Sequence, residues 1–319
     1  MDIEIKKKQY PDRYYAGKWD GIWDKPKYQK IRDHIIKAFQ GITFEEEGHK
    51  YFYKGKEFTP TSNVCHCFRM PFDEKGMAEH CEEKYYDNED SKYYHMTAKE
   101  IIKAWHEHSK KATTHGTKIH LFGENCSYFS MRQMNRLTDD FKARIQTDED
   151  GDLYVTANEP KEEAVLKFWN DLPICYVPIL FEVQMFDEEW EVSGTADLLF
   201  VYDKELNEGF NKKTQLSDNH LYNNLILMDY KTTADLYKSF GNMLPPFQEL
   251  PDNDLGGYKV QAGIYSHFLM NLGYDFAARI LIWLRDNGTY EKVKMESFTG
   301  ILREYFKKHP IKQLLEERH

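Results

Sequence analysis

The sequence predicts an α/β chain in which one mixed β-sheet is flanked by helices. Three observations predict it. Strand-like segments occupy Ile179–Phe186, Trp190–Tyr202, Leu225–Thr232 and Ala277–Arg285, the first two with hydrophobic residues alternating at period two. Helix-like segments occupy Lys27–Phe39, Thr97 to the Thr113–Gly116 stretch, Thr117–Met131, Pro160–Asp171 and Gly257–Leu272. Their order, helix, strands, helix, strand, is that of one sheet covered by helices.

Composition narrows the class. The 319 residues suit one large domain or two small ones, and 41% hydrophobic with 15% aromatic side chains can fill a core. Disorder, collagen and a disulfide scaffold are disfavoured. No run reaches the ~18 apolar residues of a membrane span, and the basic start lacks the apolar stretch of a signal peptide. Five cysteines without framework spacing indicate free thiols in a reducing compartment, so a soluble cytoplasmic protein is expected. The net charge of −10 argues against a wholesale coat on nucleic acid but leaves room for a local basic groove. Lys6–Lys8, Arg13, Lys18, Lys25, Lys27, Lys30, Arg32 and Lys37 make the first forty residues locally positive, and Arg303, Lys307, Lys308 and Lys312 repeat this near the end. A solvated surface is the simpler reading of such runs.

Taken in order, the helix from Lys27 should end at Gly41. Two short strands from His49 to Thr59 should turn at Lys54-Gly55, and the chain after Asp73 should be helical to Cys81. Residues 87–96 read as a loop. Thr97 with Glu100 makes a capping box before Ile101, Ile102 and Trp105, and the Thr113-Thr-His-Gly116 stretch should break that helix. Residues 138–152 read as a polar surface connection, and 204–224 as a polar insertion. A last strand and a C-terminal helix close the chain.

Four short motifs carry chemistry. In Leu225–Thr233, Asp229 and Lys231 lie two apart on a strand and project to one face, with Ile226, Met228 and Tyr230 on the other. A carboxylate can hold a hard cation and an ammonium can orient water or neutralise a phosphate, although a surface ion pair is the commoner meaning of Asp-x-Lys. Asp197 interrupts an apolar strand after Gly194, which is costly unless it is paired or bound to a cation. Glu182 on the preceding strand is a further carboxylate or a solvent-facing position. His120 and Glu124 share a helical face, as do Gln261 and Tyr265; each pair also suits an ordinary polar stripe. Cys65-His66-Cys67 with His80 and Cys81 lacks zinc-site spacing and reads better as buried small side chains. The Trp- and Tyr-rich leader can stack bases or pack as an arm, the latter being simpler.

The series Gly116-x-x-x-His120, Gly194-x-x-Asp197, Asp229-x-Lys231, Gln261-x-x-x-Tyr265 resembles the RecB-like branch of the PD-(D/E)XK nuclease superfamily. Residues from about His49 to Ala278 resemble its phage-type members in particular, with an early Tyr-rich hairpin and Phe72-Asp73 ahead of the Gly-Thr-x-x-His helix. The resemblance implies a restriction-endonuclease-like core over 97–319, preceded by a leader, hairpin and helical extension over 1–96. It implies His120, Asp197 and Asp229 as metal ligands with the Tyr230 backbone carbonyl, Lys231 as the catalytic lysine, and Gln261 and Tyr265 supporting Lys231 or touching DNA. Glu124 and Glu182 are auxiliary acids. Asp229 stands where relatives often have Glu. No trio of late cysteines follows Cys175, so the iron–sulfur cluster of some relatives is not expected.

The implied activity is Mg²⁺- or Mn²⁺-dependent hydrolysis of DNA phosphodiesters, with one or two ions. An exonuclease in recombination, repair or phage genome processing comes first, in the host cytoplasm if phage-encoded. The competing readings are a structure-specific or flap endonuclease, a non-catalytic DNA-binding subunit that keeps the fold, and a nuclease dependent on a helicase or recombinase partner.

Overall fold

A computed structural model describes residues 12–45, 48, 50–207, 210 and 219–318. They form two compact units, one over Met70–Ile119 and the other over Met1–Arg69 with His120–His319. The expected division at residue 96 therefore lies inside the smaller unit.

The larger unit is built on a mixed sheet that, among the described residues, has eight strands flanked by helices. Its architecture is consistent with a restriction-endonuclease-like core. The N-terminal arm supplies β1 (Arg13–Tyr15) and α1 (Pro26–Ala38), followed by β2 (Ile42–Glu45), β3 (Lys50–Tyr53), β4 (Lys56–Pro60) and the short α2 (Thr61–His66). In the arm, Tyr14 and Trp19 are buried and Trp19 Nε1 donates to the Ile174 carbonyl at 3.1 Å, so this part packs. Lys6–Lys8 lie outside the described residues. The turn at Lys54-Gly55 forms as expected, with both residues at positive φ. Strand β2, which the sequence reading left out, pairs with β3 and widens the hairpin.

In the smaller unit, Asp73 caps α3 (Glu74–Tyr85) by accepting from Gly76 N at 2.9 Å. Thr97 and Glu100 close the expected box, Thr97 N donating to Glu100 Oε2 at 2.9 Å and Glu100 N to Thr97 Oγ1 at 3.4 Å. Ala78, Cys81 and Ile101 form its core, with Tyr93 and Trp105 packed beside them.

The helix that begins here contradicts the expected break. It runs without interruption as α4 (Ala98–Ser130). Thr114 Oγ1 donates to the Lys110 carbonyl (2.9 Å) and Thr117 Oγ1 to that of Thr113 (3.1 Å), so the hydroxyls bond inside the helix. One internal glycine costs only ~1 kcal/mol and does not stop it.

Residues 138–152 are not a plain connection. They hold α5 (Asp139–Lys142) and β5 (Gln146–Thr147), and β5 pairs with β6 (Leu153–Thr156) in a small sheet ordered β1-β6-β5. Then come α6 (Pro160–Asp171), β7 (Tyr176–Asp187) and β8 (Val192–Tyr202). Part of the 204–224 insertion lies outside the described residues, and α7 (Asn219–Tyr222) ends it. The chain closes with β9 (Leu225–Lys231), α8 (Asp254–Asn271), β10 (Phe276–Leu284), β11 (Tyr290–Lys294), α9 (Thr299–Lys308) and α10 (Ile311–Arg318). Strand β11 and the division of the final helix were not expected.

The sheet order is β11-β10-β9-β8-β4-β3-β2, with β7 also paired to β8. Strand β8 is the pivot. It runs antiparallel to β7 along its whole length, while Leu198–Val201 pair with β9 and Val192–Ser193 pair with β4. Residues 194–197 therefore sit in a fork between β9 and β4. Phe168 and Gly123 pack on Tyr230, whereas Tyr258 of α8 meets Lys231, so α6 and α4 cover one face of β9 and α8 the other. No helix among the described residues is long and apolar enough to cross a membrane.

Candidate metal centre

The fork creates the site. Pairing of β8 with β9 stops at Leu198↔Met228, so the next N–H of β9 in reach, that of Tyr230, has no ladder partner there. Asp197 supplies one: its Oδ2 accepts from Tyr230 N at 2.8 Å. The carboxylate thus closes the open ladder and is held nearly dry, 7% exposed. Tyr230 meets the site through this N–H.

Glu182 falls opposite Asp197, between the pairs Phe181↔Leu198 and Val183↔Ala196. Its φ of +46° is rare for a side chain with a Cβ, and follows an irregularity in β7 between Pro178 and Leu180. Such backbone outliers concentrate where a side chain must be aimed. From α4, His120 Nδ1 reaches Asp197 Oδ2 at 3.2 Å. His120, Glu182 and Asp197 each offer one ligand atom, all within 4.8 Å of one another. This group could hold a metal ion.

Asp229 and Lys231 lie beside it on the face that strand alternation assigns them. Asp229 is outside the trio, and its Oδ2 contacts the Lys231 ammonium. That oxygen is buried and accepts no hydrogen bond of good geometry. Glu182, expected as auxiliary, is in the trio. Glu124 is not: its Oε1 accepts from Tyr128 Oη at 3.2 Å, and its charge acts on Glu182 from a distance.

The electrostatics fit a cation. Burial first, and the Asp197 charge second, push the Glu182 carboxyl up to about 8. The same two causes raise Asp229 to about 6. Burial also pushes Asp197 up, but the charges of His120 and Lys231 with the Tyr230 N–H outweigh it and leave Asp197 below the usual range. Burial opposes the charge on His120, yet Asp197 lifts it to about 9. Lys231 is likewise held cationic by Asp229 and Asp197 against its burial. When all three are ionised, the crowded carboxylates exceed what one imidazole and one ammonium neutralise, and oxygen donors with one imidazole suit a hard or borderline divalent ion.

Gln261 Nε2 donates to Tyr265 Oη at 3.1 Å, and Tyr265 packs on Gly194, where an added Cβ would lie 2.7 Å from its ring. They brace the fork. The side chain on Lys231 is Tyr258, with the ammonium 4.6 Å from its ring centroid. Sequence reading passed over Tyr258, although the i, i+3, i+7 spacing from Tyr258 to Gln261 and Tyr265 marks a shared face. The five cysteines are free and buried, in keeping with small apolar packing.

Fold and site together define an α/β protein with a buried His/Glu/Asp group able to take a cation at a fork in its sheet. No protein-family model matches the chain, and no curated protein matches it.

Proposed function

We propose that this protein is a Mg²⁺- or Mn²⁺-dependent deoxyribonuclease of the PD-(D/E)XK type, RecB-like branch, and that it trims DNA ends. The observation that carries the reading is the meeting, at one fork, of His120, Glu182 and Asp197 with the Asp229–Lys231 pair. His120, Asp197 and the Asp229–Lys231 pair come from three elements in the order of the RecB-like resemblance, and Glu182, an auxiliary acid there, joins them from β7.

In this reading His120, Glu182 and Asp197 would hold the ion, with Asp229 beside them as a further acid. A bound Mg²⁺ or Mn²⁺ supplies Lewis acidity at the phosphate and a more acidic water. Lys231 places a fixed positive charge where the pentacovalent phosphate gains negative charge, and its remaining N–H groups orient the attacking water. Asp197, fixed by the Tyr230 N–H, keeps the geometry rigid. Gln261 and Tyr265 keep the fork open from beneath.

The test is cleavage of end-labelled linear DNA with Mg²⁺ or Mn²⁺ and with chelator. Asp229→Ala and Lys231→Ala should each abolish it, by at least ~10³-fold, with the fold intact by circular dichroism. Full activity in both variants sinks the proposal. Circular single-stranded DNA should be spared; its cleavage would turn the reading to an endonuclease.

A further inference from the structure

We infer that Tyr258 is a positioning residue for Lys231: its ring face holds the ammonium at the working point while Asp229 is engaged elsewhere. The inference rests on the nuclease reading and deepens it.

Lys231 Nζ ends a flexible four-carbon stem. The backbone beneath it is clamped on both sides. Lys161 Nζ donates to the Thr232 carbonyl at 2.7 Å, and Thr233 Oγ1 donates to Asp254 Oδ2 at 2.7 Å. Asp254 also receives Arg69 at 3.1 Å, which ties the start of α8 to the end of β9. These bonds set where the stem begins and say nothing of where the head goes. Among the described residues, the head meets two groups, the Asp229 carboxylate and the Tyr258 ring. A carboxylate that turns to a cation loosens its hold on the ammonium. The ring is carried on α8, which is held at two points of the same stripe: Asp254 receives Thr233 Oγ1 just past β9, and Tyr265 packs on Gly194 of β8.

A ring within about 6 Å attracts a cation through its quadrupole, more strongly where water is scarce. Here the lysine side chain is 15% exposed, and the 4.6 Å separation is inside that range. The ring covers one side of the ammonium and Asp229 another, which leaves N–H groups for water or phosphate. Phe and Tyr both present the required face; an aliphatic side chain of similar bulk does not.

The experiment measures kcat and KM on linear DNA for Tyr258→Leu and Tyr258→Phe, alone and on a Lys231→Ala background. It is joined by side-chain NMR of the intact protein carrying ¹³C-lysine. Tyr258→Leu should lower kcat by about tenfold with KM little changed, a size within the range of a desolvated cation–π contact. Tyr258→Phe should restore most of kcat. On the Lys231→Ala background Tyr258→Leu should add nothing. In the parent protein the Lys231 ε-methylene signal should be displaced upfield by the ring, and Tyr258→Leu should abolish that displacement. Equal losses in the Phe and Leu variants would assign the effect to the hydroxyl and overturn the inference. So would an undisplaced ε-methylene signal in the parent, which needs no variant to fold and no activity. Undiminished cleavage by Lys231→Ala alone would instead remove the nuclease reading, with the NMR result still deciding the contact.

Discussion

Two buried aspartates, one near the middle of β8 and one just past its end, differ in the acids around them. Asp203 is fully buried, and each oxygen is satisfied. Its Oδ2 accepts from Tyr28 Oη at 2.5 Å and meets Lys27 Nζ at 2.6 Å, while Oδ1 accepts from Glu205 N at 2.9 Å. Burial alone would raise its carboxyl, but Lys27, Tyr28 and the Glu205 N–H hold it below the usual range. Asp197 is almost as dry, yet it faces Glu182 across the sheet and feels Asp229 beside it. A buried carboxylate with a full set of donors is a structural tie. A buried carboxylate that shares its positive partners with other carboxylates leaves a place that a cation could fill. The surplus of acid, rather than burial, separates the two.

The largest effect expected from this contrast is on cation affinity. Asp197→Asn should weaken Mn²⁺ binding by on the order of 10³-fold in calorimetry, equivalent to the ~3–5 kcal/mol lost when one partner of a buried charge pair is removed. Asp203→Asn should leave that affinity unchanged; a comparable loss there would erase the distinction.

Stability should show the reverse. Asp203→Asn should cost about 3 kcal/mol in denaturant unfolding at pH 7, since it strips the charge from a buried pair. The folded pKa of Asp203 is depressed, so its contribution is present above the unfolded value of ~3.9 and is lost as pH falls through the folded value. Parent and variant should therefore converge in acid. A deficit that persists unchanged at pH 2 would show that packing, not charge, is at work.

Saturating cation should next stabilise the parent by about 2.7 kcal/mol at a hundredfold excess over Kd. The gain should vanish in Asp197→Asn and survive in Asp203→Asn. Smallest is Glu182→Gln in chelator. Like charges directly opposite in a sheet destabilise it by up to ~1 kcal/mol, so removing one should stabilise the metal-free protein by about that amount. Glu182 has a folded value raised to about 8, so its cost grows as pH rises from the unfolded value towards 8. The gain should be clear at pH 9 and slight at pH 5. Destabilisation by this substitution would mean that Glu182 is a structural tie like Asp203.

Much of the fold and part of the site were legible beforehand, and the residues show why. Helix α6 begins at Pro160 and ends at Asp171 as the pattern requires, because its proline start and apolar stripe are local signals. The shared face of Asp229 and Lys231 follows from strand alternation alone, and the Thr97–Glu100 box from capping chemistry. The break at Gly116 was misjudged because flanking threonines that often end helices here bond back into one. Glu182 was underrated for another reason. Its partnership with Asp197 depends on the register of β7 against β8, and on an irregularity just before it that no local pattern announces. Tyr258 was missed because its place on Lys231 exists only once α8 is laid across the end of β9.

The amino-acid order by itself determined the main helices and strands of the larger unit, the absence of a long apolar span, and which side chains of each element look the same way. These depend on neighbours a few positions apart, where rotation per residue and capping decide the outcome. Tertiary structure alone decided that β8 forks, that Glu182 rather than Asp229 joins His120 and Asp197, and that Asp197 has other carboxylates around it while Asp203 has Lys27 and Tyr28. Those facts turn on register and on the sum of charges around a buried group, and both are set by segments that meet only when the sheet closes.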